Sequence, residues 1–174
     1  VLHHENGTFF IQTNLDAPNR RIVTAPSSKA TPDNWTTLIA ETENPLTAGS
    51  AGEYLFCSYL KDAVSMIQQY DFKGQLVRNI ELPGLGSAAG FGAKRTDTEL
   101  YYTFTSYIYP PTIFKLNLAS GKSEVYKQSG VKFDPSQYES KQVFYTSKDG
   151  TKVPMLITYK KGLKFDGTNP TLLY

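Results

Sequence analysis

The 174-residue sequence has few of the residues on which disulfides, metal sites and thiol or imidazole chemistry depend. Its one cysteine, Cys57, cannot form an internal disulfide and has no CxxC partner for a metal. Its two histidines, His3 and His4, are adjacent and have no third ligand nearby, so the sequence predicts no metal site. Cys57 lies in a strand-like run, and we interpret it as a small buried residue; a reactive thiol is the alternative.

Long apolar runs and an excess of one charge are also missing. No stretch approaches the roughly twenty apolar residues that cross a bilayer, and no signal-peptide pattern opens the chain. Eighteen basic and 16 acidic residues give a net charge of +2, and no basic run is longer than two residues. The sequence therefore favours a soluble globular protein over one that binds nucleic acid or a membrane, and leaves a cytoplasmic or an exported location open.

Aromatic residues are plentiful and occur in a repeat. Twelve tyrosines and ten phenylalanines lie in short runs separated by Gly, Pro, Asn and Asp, a pattern typical of β-strands. Strand-like segments recur every 46 residues, at 7–14, 53–60 and 99–106, and a second set keeps the same spacing at 21–23, 67–69 and 113–115. A glycine turn and a return strand follow at 71–77 and 117–123, and the first repeat has a longer turn at 26–34 before Trp35, which we expect to pack under it.

A repeat of this length built from short strands is typical of β-propeller blades. We therefore predict an all-β fold, a partial β-propeller of about three four-stranded antiparallel blades in residues 1–130. A closed ring needs at least four blades, so others are expected outside the chain. A β-sandwich with regular spacing is the alternative. The glycines at 84, 86 and 90 fit neither a phosphate loop nor a dinucleotide fingerprint; we interpret this segment as an inter-blade connection and predict no cofactor.

The repeat ends near Gly130. Two strand-like runs then flank Ser147-Lys148-Asp149-Gly150, and Asp-Gly is a strong hairpin signal because both residues tolerate positive φ. The apolar run 170–174 is typical of a strand buried on both faces, as in a parallel α/β sheet. We predict a second, incomplete domain at 131–174. A start without Met and an end inside a strand-like run lead us to expect a piece of a longer polypeptide.

These last segments carry a family resemblance. Residues 149–155 (DGTKVPM), 160–162 (KKG) and 166–174 (DGTNPTLLY) resemble the stretch where the propeller of a prolyl oligopeptidase passes into its α/β-hydrolase domain, and residues 96–106 are similar to a late blade of that family. The resemblance implies a serine-type endopeptidase that cleaves short peptides on the carboxyl side of proline. It implies that the propeller caps the active site against folded proteins, and that 131–174 holds the first strands of the α/β-hydrolase domain. Its expected partners are proline-containing oligopeptides and the remainder of the same polypeptide.

The same resemblance implies that the catalytic residues lie outside this chain. In the family, Leu-Leu-Tyr runs into Gly-Tyr-Gly-Gly-Phe, and Tyr174 matches the first Tyr, two positions before the one that stabilises the oxyanion. The nucleophilic Ser, the Asp and the His follow later, and no Gly-x-Ser-x-Gly occurs here. We therefore expect the chain alone to be inactive, and to self-associate through uncovered blade faces. A non-enzymatic propeller that binds a protein or glycan is the alternative; it gives the Asp149-Gly150 hairpin no role.

Overall fold

The computed structural model describes residues 1–174 as three four-stranded antiparallel sheets and a separate hairpin. Blade 1 contains β1 (His3–Glu5), β2 (Thr8–Thr13), β3 (Arg21–Pro26) and β4 (Thr36–Ile39). Blade 2 contains β5 (Leu46–Ala51), β6 (Tyr54–Lys61), β7 (Val64–Asp71) and β8 (Leu76–Ile80). Blade 3 contains β9 (Ser87–Ala89), β10 (Glu99–Ser106), β11 (Tyr109–Asn117) and β12 (Ser123–Lys127).

The 46-residue repeat corresponds to the blades. The second strands, β2, β6 and β10, begin at Thr8, Tyr54 and Glu99, and in each sheet every strand pairs antiparallel with the next along the chain. The prediction of about three four-stranded antiparallel blades is confirmed. Trp35 is half-buried, and its indole N–H donates to the carbonyl of Ala30 over 3.0 Å, which places it across the long turn as predicted.

Two apolar cores lie between the sheets, one on each side of blade 2. The core between blades 1 and 2 includes Leu55 and Cys57 of β6, and the core between blades 2 and 3 includes Phe56. Successive residues of a strand point to opposite faces, so β6 serves both cores by being apolar at consecutive positions. A middle blade must bury both of its faces, and this explains why residues 55–57 are all buried.

Blades 2 and 3 form a wedge. Close to their first strands they meet through backbone atoms, because Ala93 N donates to Ser50 O over 3.0 Å and Gly49 faces the carbonyl of Phe91 with no room for a side chain. Close to their fourth strands a long side chain makes the link, since Arg78 Nη2 donates to Ala119 O over 2.8 Å. The narrow edge of the wedge places β5 and β9 nearest the propeller axis.

The hairpin after the blades pairs β13 (Tyr138–Thr146) with β14 (Lys152–Lys160), as the sequence predicts. Its turn differs from the expected two-residue type. Only Gly150 has positive φ, and Ser147 N donates to Thr151 O over 2.8 Å, so the three residues between them form the loop. The reason is local: the Asp149 carboxylate accepts from Thr151 N and holds Asp149 at negative φ.

The strand predicted at 170–174 is wrong for this chain. These residues form no ladder, and Leu172, Leu173 and Tyr174 are 89%, 87% and 103% exposed. A central strand is stabilised by partners on both edges and by cover on both faces, and no element of this chain supplies either. The two helical segments are single three-residue turns, and neither could cross a membrane.

Candidate functional surface between the blades

A cleft of about 660 Å³ lies between blades 2 and 3 at the narrow edge of the wedge. It is lined by small residues of β5 and of the β9 region, including Ala48, Gly49, Ala89 and Gly90. Its polar side chains are hydroxyl groups only; no histidine, carboxylate or amine lines it. A hydroxyl nucleophile needs a base within hydrogen-bond reach, so this cleft can shape a cavity wall but holds no acid–base pair.

The Cys57 thiol is buried in the core between blades 1 and 2. Burial raises its pKa to about 12, and burial likewise raises the pKa of Tyr59 and Tyr70 beside it. The Tyr70 hydroxyl donates to Gln68 Oε1 over 2.8 Å. All three groups are therefore protonated at neutral pH, and the interpretation of Cys57 as a buried packing residue is confirmed.

The polar group best supplied with contacts is Arg95, which the sequence analysis did not single out. Its guanidinium lies 2.6 Å from Glu5 Oε1 and 3.1 Å from Glu53 Oε2, and Nη1 lies 3.2 Å from His3 Nε2. The His3 ring stacks on Phe72 with centroids 4.4 Å apart. No sequence signal could have found this cluster, because its members come from four separate loops and strands that only the blade topology brings together.

Another polar contact between blades is buried. Gln69 has no exposed surface; its Nε2 donates to Leu118 O over 2.7 Å, and its Oε1 has no partner. This single bond ties β7 of blade 2 to the end of β11 in blade 3. It contributes to alignment of the blades and brings no reactive group with it.

The residues on which the sequence predictions about catalysis depend have packing or surface positions in the structure. Both histidines lie in β1, where His3 contacts Phe72 and Arg95 and His4 lies against Phe9 at 4.7 Å. Tyr174 is fully exposed. The absence of catalytic residues from the chain stays a prediction.

Residues 84–90 have the structural role predicted for them. β8 ends at Ile80 and β9 begins at Ser87, so the first part of this segment connects blade 2 to blade 3. Gly86 lies against Thr105 O and the Phe104 ring, where a side chain would not fit. Gly86 and Gly90 thus permit close packing of this segment on blade 3, whereas Gly84 has open space around it.

Comparison with known proteins gives one consistent result. Residues 1–129 match the family model described as "Prolyl oligopeptidase, N-terminal beta-propeller domain". The chain is 55% identical over 170 residues to the prolyl endopeptidase of Elizabethkingia miricola, and the alignment covers 98% of this chain and 24% of that protein. It is 53% identical over 174 residues to the prolyl endopeptidase of Elizabethkingia meningoseptica, which covers 100% of this chain and 25% of that protein.

Solved structures agree with these sequence matches. A structure from a study of two prolyl endopeptidases superposes with a TM-score of 0.84 at 36% identity, covering 93% of this chain and 24% of that one. Prolyl oligopeptidase B from Galerina marginata superposes with a TM-score of 0.82 at 28% identity, covering 96% and 24%. The chain therefore spans about a quarter of the length of the proteins it matches.

Proposed function

This chain belongs to the prolyl oligopeptidase family, and we propose that it supplies part of the propeller of a serine peptidase that cleaves short peptides on the carboxyl side of proline. The observation that carries the proposal is the 55% identity to a prolyl endopeptidase along 98% of the chain. Because the similarity includes the hairpin as well as the blades, a peptidase fits better than a non-enzymatic protein- or glycan-binding propeller.

In this proposal the blades act sterically. They form a wall that admits oligopeptides and excludes folded proteins, and the cleft between β5 and β9 is part of the inner surface of that wall. Its lining supports the assignment, since small residues leave the cleft open and its hydroxyl groups have no acid or base beside them. Proline-containing oligopeptides are the substrates, and the rest of the polypeptide is the partner of the blades.

The proposal divides the chain near Gly130. Residues 1–130 are propeller blades, and 131–174 are the start of the α/β-hydrolase catalytic domain. Two observations support this division: the family match ends at residue 129, and β13 and β14 form a sheet of their own. The catalytic serine, aspartate and histidine then lie outside these residues, and the chain by itself is inactive.

A peptidase assay on two proteins tests this function. The 174-residue chain and the longer protein that contains it are each incubated with a short reporter peptide carrying proline before the reporter group. We expect turnover by the longer protein only, and no cleavage when the same peptide sequence is placed in a folded protein. Turnover by the purified chain alone would contradict the proposal that the catalytic residues lie outside it. Cleavage of the folded protein would contradict the proposal that the blades exclude folded substrates.

A further inference from the structure

The connector between β9 and β10, residues 90–98, crosses the end of blade 2 and reaches blade 1. Its backbone runs along the β5–β6 turn, where Ala93 N donates to Ser50 O over 3.0 Å and Gly52 N donates to Lys94 O over 3.1 Å. Ser50 also donates from its hydroxyl to Leu2 O over 3.1 Å. The connector is thus fixed on blade 2 and carries the next residue, Arg95, to the edge of β1.

One guanidinium there contacts three blades. Arg95 belongs to blade 3, Glu53 to the β5–β6 turn of blade 2, and Glu5 to β1 of blade 1. Arg95 Nη2 forms an ion pair with Glu5 Oε1 at 2.6 Å and donates a charge-assisted hydrogen bond to Glu53 Oε2 over 3.1 Å. A guanidinium has five N–H donors in a rigid fork, so it can serve two carboxylates and an imidazole together, which an ammonium on a lysine cannot do with the same geometry.

Aromatic rings shield the cluster on one side. The Arg95 guanidinium lies 5.9 Å from the centre of the Phe72 ring, and Phe72 also stacks on His3 and lies 5.1 Å from Phe10. The side chain of His3 is 11% exposed and that of Glu5 is 25% exposed, whereas Glu53 is 65% exposed. An isolated exposed ion pair contributes little, but a network with partly buried members is screened less by solvent.

We propose that Arg95 is a clamp that couples three successive blades into one cooperative unit, and that acid releases it. The structure gives the release a direct cause. Arginine is only a donor, so His3 Nε2 can accept from Arg95 only while that nitrogen is unprotonated. A proton on His3 replaces an attractive contact with repulsion between two cations. A proton on Glu5 then removes one of the carboxylates that hold the guanidinium.

The charged groups that face His3 are Arg95, Glu5, Glu53 and His4. Burial, and then the charge of Arg95, hold the pKa of His3 below its ordinary value of 6.5. Hydrogen bonding from Arg95 holds the pKa of the Glu5 carboxyl below its ordinary value of 4.5. Both groups bind fewer protons in the folded chain than in the unfolded one. Their contributions to the stability of the folded chain are therefore complete above the ordinary pKa of each group, and they are lost as the pH falls through its folded pKa.

Amide hydrogen exchange on the Arg95→Met variant of the 174-residue chain tests the coupling. Methionine keeps the length and apolar contact of the side chain but has no charge or donor. We expect exchange to become roughly three- to tenfold faster in β1 and in the β5–β6 turn, although the substitution is in blade 3. Lys94→Met is the matched control, because the Lys94 side chain is exposed, and it is expected to leave these rates unchanged. Faster exchange confined to residues 90–98 would overturn the proposal.

A second variant tests the coupling from blade 1 without a change at Arg95, and a pH series tests the release by acid. Glu5→Gln, made in blade 1, is expected to speed exchange in the 90–98 connector of blade 3. The difference in thermal midpoint between the unmodified chain and Arg95→Met is expected to shrink as the pH falls from 7.5 through 6.5 and 4.5. Unchanged exchange rates in the connector of Glu5→Gln would show that Arg95 is only a local contact. A difference in thermal midpoint that stays constant with pH would show that acid does not release it.

Discussion

The side-chain amide of Gln142 in β13 donates to the backbone carbonyl of Asp62, in the turn between β6 and β7, over 2.5 Å. No other hydrogen bond joins the hairpin of β13 and β14 to the blades. The hairpin therefore meets blade 2 at the end of that blade opposite the Arg95 cluster, through a contact that one substitution can remove.

Loss of this bond is expected to loosen the hairpin without unfolding the blades. In Gln142→Ala we expect faster amide exchange across β13 and β14, by about two- to tenfold, because one hydrogen bond contributes about 0.5–1.5 kcal/mol net. Gln128→Ala is the matched control, since Gln128 is exposed and lies outside the strands. Unchanged exchange in the hairpin would mean that its packing, and not this bond, fixes its position.

The turn that accepts this hydrogen bond has a conformation that alanine disfavours. Asp62 and Ala63 have φ of 50° and 65°, the values of a type I′ hairpin turn, in which the second position favours glycine. Ala63→Gly is expected to raise the free energy of unfolding by about 0.5–1 kcal/mol. Ala119→Gly, at a negative φ in the β11–β12 turn, should lower it. Urea unfolding measures both, and a destabilised Ala63→Gly would contradict the assigned backbone strain.

Close backbone contact between blades 2 and 3 depends on the absence of a side chain at Gly49. A Cβ there would overlap the carbonyl of Phe91, a backbone group that cannot turn aside. We expect Gly49→Ala to lower the free energy of unfolding by about 1–3 kcal/mol in urea. Gly92→Ala is the control on the same seam, because its Cβ would meet nothing nearer than Ser50 O at 3.9 Å. Equal urea midpoints for the two variants would rule out the close approach.

Most of the blade architecture could be predicted from the sequence, because strand length, turn glycines and the 46-residue spacing are local signals repeated three times. The failures have a different origin. The run 170–174 has the composition of a buried strand, but a strand forms only where partners exist, and no strand of this chain pairs with it. The turn at Asp149-Gly150 differs from the expected two-residue type for a more local reason. A hydrogen bond to the Asp149 side chain outweighs the preference of Asp-Gly for that turn.

The polar cluster could not have been predicted at all. Arg95 lies in a connector with no periodic pattern, and its carboxylate partners are 90 and 42 residues earlier in the chain (95 − 5 and 95 − 53). Their contact follows from how blade 3 overlaps the end of blade 2, which is a property of packing. Cys57 is the opposite case, because the continuous run of apolar residues before it already predicts a buried strand.

The thiol of Cys57 is expected to be inert in the folded chain. An aromatic disulfide reagent at pH 8 should label it only after unfolding, because the group is buried and its pKa is raised to about 12. The folded chain holds this proton more tightly than the unfolded one, so the thiol contribution to stability is complete below pH 9.0 and declines as the pH rises towards 12. Ser129→Cys in a Cys57→Ala background is the exposed control; rapid labelling of native Cys57 would contradict its burial.

Self-association of the chain should occur through the free face of blade 3. That face exposes Tyr101 of β10 and Tyr126 of the edge strand β12, which are in edge-to-face contact at 4.8 Å and are 47% and 62% exposed. Uncovered aromatic residues at an unpaired strand edge favour association, and a charge at such a position opposes it. We therefore expect a concentration-dependent increase in sedimentation coefficient that Tyr126→Lys reduces. Tyr107→Lys, equally exposed but in the β10–β11 turn, should have no such effect. A monomer at all concentrations, or an equal response to both lysines, would show that this face does not drive association.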